Sequence, residues 1–257
     1  MSSTTLAELV TSERESLLNG KDGIEDAVVT FARRAQSVAI GLLALGDVAD
    51  AWDWLDALAD EWVIDANNKF DAKYGSEPSK SAQLGPWEAY INAIYCAVLG
   101  RNTVEPTAET VLERTMEPFV DELENRSLAH RIDLARALSS YLLDTGTVAE
   151  HATALEDAVE ERNKPWAVAR YLPYARVLRG LDAGDVSEVE AGIEGLLEFH
   201  RNHVASARDA DAVQKALALD ATAMLALARR DGMAITVDHE LIPDALNDAE
   251  HYPVGGT

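Results

Sequence analysis

The stretch Leu217 to Leu246, LALDATAMLALARRDGMAITVDHELIPDAL, decides the fold. From Leu217 to Ala228 nearly every residue is apolar, so a helix here has no face suited to water and must run through the middle of a packed array. Arg229 and Arg230 fall in its last turn, where cations complement the helix dipole, and Gly232 supplies the left-handed residue that stops it. Met233, Ile235 and Val237 then alternate with Ala234, Thr236 and Asp238, the period of a short extended segment near Ile235 with one face buried. Pro243 suits the first position of a last helical turn. One residue breaks the apolar run. Asp220, buried without partners, would be costly, so it is expected to face a narrow wet edge or to accept bonds from an arginine or backbone donors. No second acid or histidine accompanies it, as acid–base chemistry would require.

The same period runs outward through the chain. Ile24, Val28, Phe31, Ala35, Val38, Leu42 and Leu45 form one seam, and Val48, Ala51, Leu55, Leu58 and Trp62 form the next. Gly46 and Asp47 stand between them as a stop and a cap, which predicts an antiparallel hairpin. Trp52 and Trp54 flank the second seam. Both suit a helix with neighbours on either side, and Trp54 is also a candidate anchor for a partner. Gly75 to Gly85, GSEPSKSAQLG, reads as a surface loop. Further seams follow: Trp87, Ile91, Ile94, Tyr95 and Val98 behind Pro86; Leu112, Met116, Phe119 and Leu123, interrupted by Pro118; and Leu128, Ile132, Ala135, Leu138 and Leu142. Gly146-Thr147-Val148-Ala149-Glu150 and Gly184-Asp185-Val186-Ser187-Glu188 repeat the Gly46 junction, with the acid placed to complete a cap. The fold expected is all-α. It is an array of about ten antiparallel helices in hairpins, tetratricopeptide-like in spacing but without that repeat's consensus. We expect a single domain over 1–257, with a possible sub-boundary at the 75–85 loop.

Composition narrows the function. Asp and Glu number 45 against 22 Lys and Arg, a formal net charge of -23. Such charge repels nucleic acid and anionic membranes and fits a salt-rich cytoplasm; it is either a solvated surface or a docking face for a basic protein. Cys96 stands alone, which excludes a disulfide frame and a cysteine metal cluster. The opening MSSTTLAELVTSERE lacks the basic start and apolar core of a signal peptide, and no apolar run reaches membrane-spanning length, so the expected location is cytoplasmic. His200 and His203 lack further ligands at a recognisable spacing, so packing or capping roles are expected and no metal. No phosphate loop, nucleophile elbow or paired-carboxylate signature is present.

The segment Asn163 to Gly180, NKPWAVARYLPYARVLRG, carries no acid but holds Lys164, Arg170, Arg176 and Arg179. Two accounts stand. The arginines pair with acids on adjoining helices, or Arg170, Tyr171, Tyr174 and Arg176 form a recognition patch for a protein partner. Pro173 is expected to kink this helix.

Two pieces carry a resemblance. Leu219 and Asp220, followed by Leu225, Ala226, Ala228, Gly232, Val237, Ile242, Pro243 and Leu246, are similar to the closing pattern of the immunity 49 family of polymorphic-toxin systems. Trp87 to Arg101, WEAYINAIYCAVLGR, resembles that family's middle helix. The resemblance implies an all-helical inhibitor that binds and neutralises a cognate toxin, with no cofactor and no catalysis; Trp87, Asp220, Gly232 and Pro243 would be its structural signature. A helical-repeat scaffold for cellular proteins is the alternative, and a helical enzyme a third reading that lacks a constellation of polar groups to support it.

The charge yields a first expectation. Dense like charge destabilises the compact state and added ions screen it, so the melting temperature should rise from low to molar potassium chloride. A midpoint that stays flat or falls would refute this.

Overall fold

The structure is a computed structural model that describes residues 3–19, 28–75, 85–101, 103–118, 120, 128–235, 237–247 and 252. Among these residues lie eleven α-helices. They are α1 (Ser3–Leu18), α2 (Val28–Leu45), α3 (Val48–Tyr74), α4 (Trp87–Leu99), α5 (Glu105–Thr115), α6 (Ala129–Leu142), α7 (Val148–Arg162), α8 (Pro165–Ala183), α9 (Val186–Phe199), α10 (Ala212–Ala216) and α11 (Leu219–Arg230). A π-helical turn, His200–Ala205, extends α9, and a 3-10 turn, Asp244–Asn247, follows α11. The 75–85 loop, apart from its two glycines, falls outside the described residues, as do Ile24, Phe119, Leu123 and Thr236.

Capping chemistry sets where helices stop. Gly46, Gly184 and Gly232 take positive φ of 85°, 67° and 79°. Behind each, the next amide folds back onto the ending helix: Asp47 N to Leu42 O at 2.9 Å, Asp185 N to Gly180 O at 2.7 Å, Met233 N to Ala228 O at 3.1 Å. These bonds satisfy carbonyls that a helix end leaves orphaned. At the third expected junction Asp144 (φ 48°), not Gly146, ends the helix, with Thr145 N bonded to Ser140 O at 3.1 Å. Asp185 caps α9 through Ser187 N (3.0 Å) and Glu188 N (3.2 Å), whereas Asp47 and Thr147 make no side-chain cap bond. Glu188 reaches Arg176 instead of completing a box. The capping box that does form, Asp211 with Gln214, starts α10.

Helices pack on their sequence neighbours, α1 to α4 in one run and α5 to α9 in another. The runs meet at α4, which touches α3, α5, α6 and α11, while α11 fills the space between α4 and α9. Both central helices are apolar nearly all round: Ala89 to Ile91 and Ala93 to Leu99 are buried on α4, Ala221 to Ala228 on α11. Leu217 and Ala218, expected to be helical, lie before the helix, Leu217 extended and Ala218 at the N-cap, and Ala218 N bonds to Leu241 O at 2.9 Å. Beyond α11, Met233, Ile235 and Val237 are buried while Ala234 and Asp238 are exposed, so the alternation holds, although no strand forms among the described residues. Arg229 clamps this segment. It is buried and donates to the carbonyls of Ile235 (2.9 Å) and Leu246. Pro243 lies just before the 3-10 turn, its carbonyl bonded to Leu246 N at 3.0 Å.

The α5 seam lies one position off register, and the α2 seam, buried at Ala35, Val38 and Leu42, misses at Phe31 alone. Phe31 is 42% exposed and Met116 52%, because α2 buries Ala32, Ala35, Val38 and Ala39, and α5 buries Ala108, Val111 and Thr115. Helix α5 ends at Thr115, before Pro118. Pro173 sits inside α8, which runs on past it to Ala183, and α9 makes room for it. A Cβ on Gly195 would lie 2.8 Å from the Pro173 ring, and one on Gly192 2.8 Å from Pro173 O and 2.9 Å from Val177 N.

Gly192→Ala should therefore destabilise the chain by about 1–3 kcal/mol, since backbone on α8 must move to admit the methyl group. Chemical denaturation measures it; an unchanged midpoint would show that the two helices separate freely. A second expectation concerns His130, which is fully buried on α6, has neither ring nitrogen hydrogen-bonded among the described residues, and packs on Tyr171 with centroids 4.5 Å apart. Burial, followed by the charges of Arg162, Arg131 and Arg170, pushes its pKa down from 6.5 to about 3. The folded state therefore holds a neutral ring while the unfolded chain takes up a proton below about 6.5. Stability from this residue is full above that pH and is lost as pH falls toward 3. His130→Phe should flatten the fall of melting temperature between pH 6.5 and 4; an identical slope would contradict the assignment.

Candidate partner-binding face

The segment Asn163 to Gly180 has no acids because neighbouring helices supply them. Arg170 Nε lies 3.3 Å from Asp220 Oδ2 on α11, and its Nη1 lies 3.6 Å from Glu88 on α4. Arg176 binds Glu188 on α9 through two bonds of 2.8 and 3.0 Å, and Arg179 pairs with Glu156 on α7. The first of the two accounts of this segment is thus the one the geometry follows. Arg176–Glu188 is about half exposed on both sides and contributes little. Arg170–Asp220 is better enclosed, and Asp220 has the arginine partner that its place in an apolar helix demands. Burial works against the Arg170 charge, but Asp220, Tyr171 and Glu88 outweigh it and hold the guanidinium protonated.

The tyrosines do not face outward. Tyr171 and Tyr174 are 1% and 0% exposed, which corrects their placing in a surface patch. They belong to the seam Ala167, Tyr171, Tyr174, Leu178 and Leu181, whose alternating steps of four and three mark a buried stripe. The hydroxyls of Tyr174 and Tyr95 are hydrogen-bonded to each other inside the core. Burial, then the nearby Asp220 carboxylate, raises both well above the usual tyrosine range. Of the proposed anchors, Arg176 is exposed, Arg170 is partly covered, and Trp54 is half-buried against the core. Trp87 is enclosed among Phe70, Tyr74 and Tyr90. His200 Nε2 lies 2.6 Å from the Gln214 carbonyl, and His203 stacks on Phe199. Cys96 is buried, which pushes its thiol up and leaves it unreactive at neutral pH.

What the sequence did not reveal is a cleft of about 530 Å³ over the Arg170–Asp220 pair. Arg33 and Gln36 from α2, Asn92 from α4 and His200 from the π turn converge on it. The residues come from helices far apart in the chain, so only the π turn, a feature that often marks functional sites, gives a local sign. A second cleft of about 570 Å³ lies among Trp52, Arg101, Tyr141, Arg230, Asp231 and Tyr252. There Tyr252 accepts from Trp52 Nε1 at 3.2 Å and donates to Leu99 O at 2.8 Å. Among the described residues no group of three or more His, Cys, Asp or Glu is placed to hold a metal ion, and no helix is long and apolar enough to cross a membrane.

No curated protein and no solved structure matches the chain. The family model for immunity protein 49 matches residues 22–246. That span includes the two pieces whose resemblance was read from sequence and extends to the early helices, where none was read. The chain belongs to the immunity protein 49 family.

Proposed function

We propose that this protein binds a cognate polymorphic toxin and neutralises it by stoichiometric occupancy. The observation that carries the reading is the family match over residues 22–246. The chain acts in the cytoplasm as a single helical unit. One copy covers the toxin's active site or locks its fold, without turnover and without a cofactor. An interface of about 1,600 Å² with a few buried anchors suffices for tight binding. With Tyr171 and Tyr174 inside the core, the anchors are sought at the exposed Arg176, the partly covered Arg170 and the half-buried Trp54.

Co-expression with the toxin domain encoded beside this gene should restore growth, protection should saturate at a fixed molar ratio, and the pair should co-elute at high salt. A chain that neither binds nor protects, yet captures several unrelated cellular proteins, would instead be a scaffold.

A further inference from the structure

In this acidic chain most arginines are taken up by carboxylates. Arg14 pairs with Asp50, Arg34 with Glu13, Arg101 with Asp53 and Asp56, and Arg131 with Glu88. Arg33 departs from the pattern. It is exposed on α2, lines the cleft over Arg170, and makes no ion pair with any described residue. Opposite stands Arg170, whose five N–H donors exceed what its contacts with Asp220 and Glu88 use. Gln36 and His200, 7% and 8% exposed, add a polar floor, and Phe199, Val213 and Leu219 add apolar wall. Gln36 Nε2 is bonded to Asn92 Oδ1 at 3.2 Å and His200 to the Gln214 carbonyl. Donors left over in this cleft are therefore chiefly guanidinium N–H groups.

We propose that this cleft is the anchor pocket for the toxin and that it receives a carboxylate side chain, Asp or Glu, presented on a toxin loop. This rests on the immunity reading and deepens it. A guanidinium without a partner at the mouth of a partly apolar recess gains most from a carboxylate, which it can bind through two charge-assisted bonds shielded from water. A volume of about 530 Å³ admits one side chain and its flanking backbone. An incoming lysine or arginine fits less well, because Asp220 is already paired with Arg170 and the newcomer would meet Arg33 at the entrance. Asp211, also on the rim, is engaged in capping α10.

Titration calorimetry with the toxin domain encoded beside this gene tests the pocket. Arg33→Ala should weaken binding on the order of 30-fold or more, with the melting temperature unchanged because this exposed side chain supports no ion pair in the fold. Arg201→Ala, on the π turn but outside the cleft lining, should leave affinity within about twofold, as a rim or remote charge does. Toxin carboxylates are then converted singly to amides. One of them should weaken binding to the wild-type chain and have no further effect against Arg33→Ala, the non-additivity of a direct contact. The proposal is overturned if Arg33→Ala binds like wild type, if its loss is additive with every toxin carboxylate, or if Asp220→Asn couples to a toxin lysine or arginine. In those cases the toxin is still bound and the immunity reading stands. A toxin that fails to bind the wild-type chain removes both.

Discussion

Two helices without a solvent face govern this architecture. Neither α4 nor α11 can exist beside water, so every other helix serves in part as cover, and the chain must enclose both at once. One polar contact is threaded through that enclosure. Arg170 stands where α8, α4 and α11 meet and faces an acid from each of the last two. Such a pair adds little net stability over apolar packing, but removing one member strands a charge. Its effect is to fix how α8 sits on the central pair.

Arginine has a second internal use. Arg229, in the last turn of α11, bridges the carbonyls of Ile235 and Leu246 with its planar fork. A cation in this last turn also suits the helix dipole, as its place in the sequence implies. The larger effect is to satisfy backbone groups in a segment that lies buried without joining a sheet.

Legibility followed the strength of the apolar period. The α3 seam from Val48 to Trp62 and the central runs of α4 and α11 were readable, because burial on several sides leaves little choice of register. Helix α5 is misread by one position at Met116, and on α2 the seam holds at Ala35, Val38 and Leu42 but fails at Phe31; there small residues such as Ala32 and Ala108 carry the packing and large ones face out. Alanine gives a weak signal of which side is inside. Tyr171 and Tyr174 were misplaced for a different reason: arginines beside tyrosines look like an anchor patch, while the spacing of Ala167, Tyr171, Tyr174 and Leu178 already marked them as core. The cleft had no linear signature, since Arg33, Asn92, Arg170 and Asp220 meet only after the helices pack.

The position of α11 also orders events in time. Contacts within each run join neighbours in sequence, and local pairings form early because they close short loops. Helix α11 must instead reach back to α4 across about half of the chain. During synthesis the hairpins up to α9 can assemble while the strip that α11 will cover is still open to solvent. Asp220 and Leu219 arrive with α11, so the cleft acquires one wall only when that strip is sealed. A nascent chain that has not closed its centre has no finished cleft, so the recess is completed only by a long-range step that follows synthesis of α11.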